Sequence, residues 1–505
     1  MSAIRGFSSI LLVAAAASAL ACSKPPPPMA PMAQPPPPDV MGPPAPAPPD
    51  RLGPKPEVVK AASFLPPVPQ VLPGPFGSTI WLLERHELPL VSVAVVTPHG
   101  GSRDPDGETG LSYLAADLLD EGAGKRDAIA YAGALDAIGA KIGSSSDRDS
   151  SVVSVEVLSA KLPEALTLLG DAVVNPRHDA RDFKRVHGLW ENALRARGDD
   201  PNDVARVATS ASFFGLGHPY GRPFEGTLET ARKVTLAKVK AFHRSIWRPD
   251  AVTFVVVGDV KKEAVFGLIE KAFAGFKNPG TPKPEPFVPP PQDVEKIETV
   301  LVEREGAPQV VMSIARLGVA AKDPDVARLG LVNAALGGSF TSRLNQSLRE
   351  DHGWTYGARS RFNLQRGTGL FVARAAIRTD ALTEALGETL KIVRGMSESG
   401  PTDEELAKTK QQADQDAVSS YATLRGIALG LATNAGLDLP PDADRQALAS
   451  QASATKADLA ALAKSKLALD RVVLVFVGPR KAVEAALAAH GLPAPQLRDA
   501  DGGKR

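Results

Sequence analysis

Cysteine occurs once in 505 residues, at Cys22, so no disulfide can form within the chain. Histidine is scarce as well. There are eight, and no two share the HxxxH spacing that makes a two-histidine metal face on a helix. Aromatic residues make up 5%, and no basic run has aromatics interleaved, which excludes a base-stacking nucleic-acid surface. Charge of one sign is also missing: 58 Lys and Arg stand against 57 Asp and Glu, leaving no net field to recruit nucleic acid or a charged membrane. After the first 21 residues no run is long and apolar enough to span a bilayer. The composition that is left, 43% apolar and 23% charged, is that of a globular protein. At roughly 150 residues per domain the length suits about three to four domains.

Proline is plentiful, and it divides the chain. Arg5 precedes SILLVAAAASALA, a run shaped like a secretory h-region and too short to cross a bilayer. It ends at ALAC. One cysteine closing a signal resembles a bacterial lipoprotein signal, although the usual Leu position is Ala19 and Leu20 comes one place late. The resemblance implies a signal peptide over residues 1–21 and lipid attachment at Cys22. The chain would then be secreted across the inner membrane and anchored in the cell envelope, at the periplasm or outer membrane. The alternative is a plain signal cleaved after Ala21. Residues 22–76 read as a tether, with PPPPMAPMAQPPPP and GPPAPAPP favouring extended polyproline II. At about 3.1 Å per residue it could hold a folded body on the order of 100 Å from an anchor. A Pro-rich ligand for a partner domain is the other use of such sequence.

A second proline-rich break, NPGTPKPEPFVPPPQD, separates two similar parts. LLERHELPLVSVAVV resembles LVEREGAPQVVMSIA, PEAL matches TEAL, and TFVVVGD matches LVFVGPR, at offsets of 219, 220 and 220 residues. Chance similarity would not keep the offset constant, so one module occurs twice. In each copy β-branched runs alternate with amphipathic helical stretches, which predicts an α+β module of about 200 residues. The organisation is 77–275 for the first module, 276–297 for a linker, 298–490 for the second and 491–505 for a polar tail. The linker is expected to act as a hinge, because Pro-rich connectors join lobes without packing into either.

One helix carries a question. In GLSYLAADLLDEGAG, Leu111, Leu114, Ala115, Leu118 and Leu119 form a buried-face stripe, with Thr109 positioned to cap and Gly122 to stop. The other face presents Tyr113, Ala116 and Asp117 at i, i+3, i+4, a spacing at which suitable side chains hold a metal.

The order of motifs answers it. A strand ending in GGSRDP leads to that helix, then to DAIGAKIGSSSDRDSSVVSVEVL, GHPYGRPFEGT and WRPDAVTFVVVGDV. The second copy adds LGGSFTSRLNQSLREDHGWTYGARS. The series over 77–490 resembles the M16 (pitrilysin, or insulinase-like) metallopeptidases, in the two-domain bacterial and mitochondrial-processing-peptidase branch. That resemblance implies two homologous M16-type modules forming a clamshell. In members that cut peptides, this helix carries His-x-x-Glu-His: two zinc-binding histidines and a glutamate base, with a glutamate further along as third ligand. Matching GLSYLAAD to that motif places Tyr113 and Asp117 at the histidines and Ala116 at the base, with Ala193 at the third ligand. All four are changed, so this chain is expected to bind no metal. His187 and Glu191 are the other candidate pair, four apart on a helix, although such pairs are mostly solvated surface. His99 and His218 read as structural loop residues.

The second copy keeps what the first has lost. In the family the partner half supplies an arginine and a tyrosine seven residues apart, and LREDHGWTY gives Arg349 and Tyr356 at that spacing. A guanidinium and a phenol can donate to a scissile carbonyl and its developing oxyanion. The plainer account has Arg349 ending a helix and Tyr356 packing at the start of a strand. GAKIGSSSD, residues 139–147, corresponds to the family's edge strand, which pairs with extended peptide through its backbone. It also reads as a polar hairpin. The resemblance therefore implies a non-catalytic subunit of a two-chain zinc peptidase. The partner would be an M16 chain with an intact His-x-x-Glu-His and its zinc, and the substrate peptide or unfolded polypeptide. Alternatives are a peptidase-like scaffold of the cell envelope and an autonomous metalloendopeptidase with divergent ligands.

Overall fold

The computed structural model describes residues 64–286 and 288–505, so the signal-like segment, Cys22 and most of the tether lie outside the described residues. Strands arise where β-branched residues crowd together. The first sheet is built from β1 (Gln70–Pro73), β2 (Thr79–Glu84), β3 (Leu90–Thr97), β6 (Lys141–Ser146), β7 (Ser151–Leu158) and β8 (Thr253–Gly258). Its order is β1-β2-β8-β3-β7-β6, and a two-residue ladder of β4 (Gly122–Ala123) with β5 (Arg126–Asp127) stands apart. The second sheet uses β9 (Glu298–Glu303), β10 (Gln309–Leu317), β11 (Thr355–Phe362), β12 (Leu370–Arg378), β13 (Val473–Gly478) and β14 (Gln496–Leu497). Its order, β14-β9-β13-β10-β12-β11, repeats that of the first sheet over β2-β8-β3-β7-β6. The duplication read from constant offsets is thus a duplication of topology. Only the outermost strands differ, β1 being antiparallel to its neighbour and β14 parallel.

The central strands β8 and β13 are apolar almost throughout because both faces are covered, and their neighbours β3 and β10 are broken within only by Ser92 and by Ser313 and Arg316. Helices of the same module pack on one face of each sheet. The opposite face is covered by a helix from the other module. Ile427, Ala428, Leu431 and Ala432 of the Leu424–Gly436 helix pack on Trp81, Leu83, Val96, Val255 and Val257 of the first sheet. Reciprocally, Val204, Ala205, Ala208 and Phe213 of the Pro201–Phe214 helix pack on Val300, Val302, Val311 and Val475 of the second. The modules are interlocked by exchanged helices.

Polar contacts finish the joint. The Tyr220 hydroxyl donates to Asp149 Oδ1 at 2.8 Å and accepts from the Gly367 amide at 2.9 Å, while the Arg366 amide donates to Asp149 Oδ2 at 2.9 Å. The linker does not behave as a free connector. Phe276 is buried in the first core, Val294 packs into the second, and the Pro282 and Pro289 carbonyls accept from Arg248 (3.0 Å) and His218 (2.9 Å). The expectation of a hinge that packs into neither lobe is corrected: its carbonyls and apolar side chains have partners on the body. The 491–505 segment also lies on the body, through β14 and an ion pair between Asp501 and the buried Arg197 of the first module.

Candidate functional site

The Leu111–Asp117 helix buries Leu111, Leu114 and Ala115 of the expected stripe but ends before Gly122, which falls in β4; Leu118 and Leu119, nearly inaccessible as well, lie in the turn that follows the helix. Its start differs from expectation. Gly110 is the N-cap at φ 95°, and a Cβ there would lie 2.5 Å from Trp190 and 2.7 Å from the Glu225 carbonyl, so only glycine fits. The capping acceptor is the buried Asp104, not Thr109. Its carboxylate takes the Gly110 amide at 2.8 Å, the Ser112 amide at 2.9 Å and the Ser112 hydroxyl at 3.3 Å. Burial, set against these donors, pushes its pKa up to about 7.

On the motif face, Tyr113 is half-buried, edge-on to Phe224 with ring centroids 6.0 Å apart. Ala116 is buried, and its carbonyl accepts from the Ser144 hydroxyl of β6 at 2.8 Å, tying the helix to that strand. Asp117 is partly exposed, and Ala193 is exposed on the Ala180–Asp199 helix. Methyl groups at Ala116 and Ala193 can neither take a proton nor hold a cation. Among the described residues no group of three or more His, Cys, Asp or Glu could hold a metal ion.

His187 and Glu191 stand 3.7 Å apart, yet both have other partners. His187 Nε2 lies 2.9 Å from the Ala231 carbonyl, its ring packs against Phe183 and Trp190, and Glu191 pairs with Arg195 at 3.3 Å. The pair is structural. His218 is as well, bonded to the Pro289 carbonyl and, through Nδ1, to the Tyr220 amide at 3.0 Å. His99 is fully buried in the turn after β3. Burial, reinforced by Arg103, Arg366, Lys283 and Arg248, lowers its pKa to about 3, so it stays neutral.

The 139–147 stretch is both things the sequence allowed. It forms β6, the outermost strand of the first sheet, and the outer arm of a hairpin into β7 whose turn is held by Asp147 accepting from the Asp149 and Ser150 amides at 2.7 and 2.6 Å.

Arg349 lies in the helical turn Gln346–Asp351. Its guanidinium sits 4.8 Å above the Phe340 ring, and it pairs with Glu350 at 3.3 Å. Phe340 itself is 64% exposed, a residue that sequence reasoning passed over. Tyr356 is the second residue of β11, the outermost strand of the second sheet, and is 91% exposed. It therefore does not pack, and the plainer account of Tyr356 as a packing residue fails. A β-bulge explains its direction. Thr355 pairs with Ile377 and Ala358 with Ala375, so Tyr356 and Gly357 together stand against Ala376. Without the extra residue, strict alternation would turn Tyr356 to the side of Ala358 and Ser360, which are buried.

Comparison with known proteins bears on the family and the fold. Residues 80–223 match the model of the insulinase family, peptidase family M16, and residues 233–413 match that of the peptidase M16 inactive domain. An uncharacterized zinc protease of Mycobacterium tuberculosis is 26% identical over 312 residues, covering 61% of this chain and 70% of that protein. A Helicobacter pylori protein named a non-peptidase homolog is 23% identical over 328 residues, covering 65% and 75%. Among solved structures, a peptidase M16 inactive domain from Pseudomonas fluorescens superposes with a TM-score of 0.75 at 26% identity, covering 81% of this chain and 98% of that one.

Proposed function

Because the chain belongs to the M16 peptidase family, we propose that it serves as the non-catalytic subunit of a two-chain M16 zinc peptidase. The partner chain carries His-x-x-Glu-His and the zinc, and this chain contributes Arg349 and Tyr356 to peptide bound there. The observation that carries the reading is Tyr356, 91% exposed and aimed outward by a bulge, in a chain whose four zinc-motif positions hold Tyr113, Ala116, Asp117 and Ala193. A phenol that buries nothing contributes little to folding, and a strand irregularity that re-aims a side chain is a common device beside active sites. Arg349, over an exposed Phe340 ring, is held ready to donate.

The chemistry follows from the donors. A zinc held by the partner would supply the activated water, and as the scissile carbonyl is attacked, negative charge would grow on its oxygen. A phenol O–H and a guanidinium N–H fixed beside it stabilise that charge more than they stabilise the neutral amide. The second reading, a peptidase-like scaffold, is supported by the non-peptidase homolog of H. pylori. The two part on one experiment. The chain is co-purified with an M16 chain bearing His-x-x-Glu-His and assayed on a quenched fluorescent peptide. Tyr356→Phe or Arg349→Ala is expected to leave assembly and melting temperature intact and to lower turnover roughly ten- to a thousand-fold. The double variant should be little worse than the poorer single. Normal turnover in the double variant would leave only the scaffold.

The same reading places the subunit in the cell envelope through lipid on Cys22. Metabolic labelling with a palmitate analogue should mark the wild type and not Cys22→Ala, and equal labelling of both would remove the anchor.

A further inference from the structure

Past the bulge, β11 alternates regularly, with Ala358 and Ser360 buried and Arg359 and Arg361 exposed. Arg359 stands opposite Arg374 on β12, and Arg361 opposite Val372. Val372 belongs to the sheet face whose centre the Pro201–Phe214 helix covers, so β11 and β12 extend that face as a ledge beside the helix. The helix adds Arg206. Its carboxylate partners are Asp203 at 3.2 Å and Glu225 at 2.9 Å, and Glu225 is shared with Arg197 at 3.7 Å. Arg374 reaches the Ser313 hydroxyl at 3.0 Å and the Asn202 carbonyl at 3.5 Å, and no carboxylate. Among the described residues the guanidinium groups of Arg359 and Arg361 have neither hydrogen bond nor ion pair.

Arg206, Arg359, Arg361 and Arg374 thus have two carboxylates among them, one of these shared with Arg197, in a chain whose overall charge is only +1. Burial, then Arg361 and Arg206, brings Arg374 down to about 10. Gathering like charges raises the energy of the folded chain, and a bound anion would relieve it. The layout says which anion. The two cations without a partner, Arg359 and Arg361, follow one another along the outermost strand, and Arg374 and Arg206 continue the row onto β12 and the helix, a band instead of the single convergent point a phosphate site would need. Arg359 and Arg361, two residues apart, are about 7 Å apart along the strand, the repeat of alternate side chains on an extended peptide. The guanidinium fork fits a carboxylate in two parallel hydrogen bonds. Tyr356 opens the same face, five residues and roughly 16 Å from Arg361.

We propose that this ledge binds acidic segments of extended polypeptide, taking Asp or Glu side chains that lie several residues to one side of the bond held at Tyr356. In naming the reacting end the proposal rests on the subunit reading. Its binding surface does not.

The test uses the full chain alone. A fluorescein-labelled peptide with Glu at alternate positions is compared by anisotropy with a twin carrying Gln. The acidic peptide is expected to bind at least about tenfold more tightly, with the advantage shrinking at high salt. The Arg359→Gln, Arg361→Gln double variant should bind both peptides equally and keep its melting temperature, since both side chains are exposed. Arg359→Lys with Arg361→Lys should retain part of the preference. Equal binding of the two peptides to the wild type, or an unchanged preference in the Gln variant, would overturn the proposal. So would equally tight binding of a heparin fragment of matched charge, which would make the ledge a general polyanion surface. No partner enters the assay, so normal turnover in Tyr356→Phe complexes would end the subunit reading and leave the ledge standing.

Discussion

Asp104 sits six residues ahead of the glycine whose amide it receives, and nothing in GGSRDPDGETGLSYL marks it over Asp106, Glu108 or Thr109 as the acceptor. Local spacing favours Thr109, but the 3₁₀ turn at Gly101–Arg103 folds the chain back and presents Asp104 instead. Its carboxyl has a measurable consequence. Folded Asp104 keeps its proton to about pH 7, whereas the unfolded chain releases it near 3.8. Between those values the unfolded state binds fewer protons, so this residue makes stability fall as pH rises, levelling off above 7. The linked effect is on the order of 4 kcal/mol before local relaxation reduces it. The buried His99, His178 and His243, held down to about 3, 4 and 3 mainly by burial, act with the opposite sign below 6.5. Their contribution cancels when wild type is compared with Asp104→Asn. Urea unfolding at pH 5 and pH 8 should therefore show the variant losing more stability than wild type at pH 5 and much less, or none, at pH 8. An equal difference at both pH values would mean that Asp104 is ionised throughout.

Elements were legible where one period dominates. VSVAVV, VVSVEV and TFVVVG could be read as strands because β-branched residues crowd them, and the amphipathic stretch PEALTLLGDAVV lies within the Leu162–Val174 helix. The repeated series fixed their order. Two features were beyond reach. The bulge before Ala358 depends on a single extra residue, and TYGARSRF scans equally well as a plain alternating strand, which would bury Tyr356. The face a helix chooses was also hidden. LRGIALGLATNAG shows an apolar stripe, but no local signal says that it covers the sheet of the other module. The linker illustrates the same blindness. Its prolines forbid helix and central strand, and they say nothing of whether carbonyls find donors on the body. That the side chains of Ala116 and Ala193 can hold no cation was readable, by contrast, because side-chain identity decides it: a methyl group has no ligand atom in any fold.

Taken whole, the molecule consists of two copies that are homologous and yet incomplete alone. Each sheet borrows a helix, and the borrowed contacts are not marginal. Removing the Leu424–Gly436 helix uncovers Trp81, Leu83, Val96, Val255 and Val257, which at ~1.5 kcal/mol or more apiece amounts to roughly 7 kcal/mol. That is comparable with the entire stability of a typical domain, about 5–15 kcal/mol. The lender fares no better, since the Pro201–Phe214 helix would expose Val204 and Phe213 when parted from the second sheet. Parting the modules would also take the Arg366 amide from the buried Asp149, leaving it the Tyr220 hydroxyl alone. A fragment of residues 64–290 is therefore expected to aggregate or remain unfolded when expressed alone. Co-expression with residues 291–505 should restore a soluble one-to-one complex. The intact chain should melt in one calorimetric transition despite its two sheets. Size-exclusion chromatography of the fragment, with and without its complement, checks the first expectation, and scanning calorimetry of the full chain checks the second. A monomeric 64–290 fragment with its own cooperative melt would show the modules to be independent. The exchanged helices would then be a convenience of packing, and rocking about the 276–297 linker would return as a way for the chain to move.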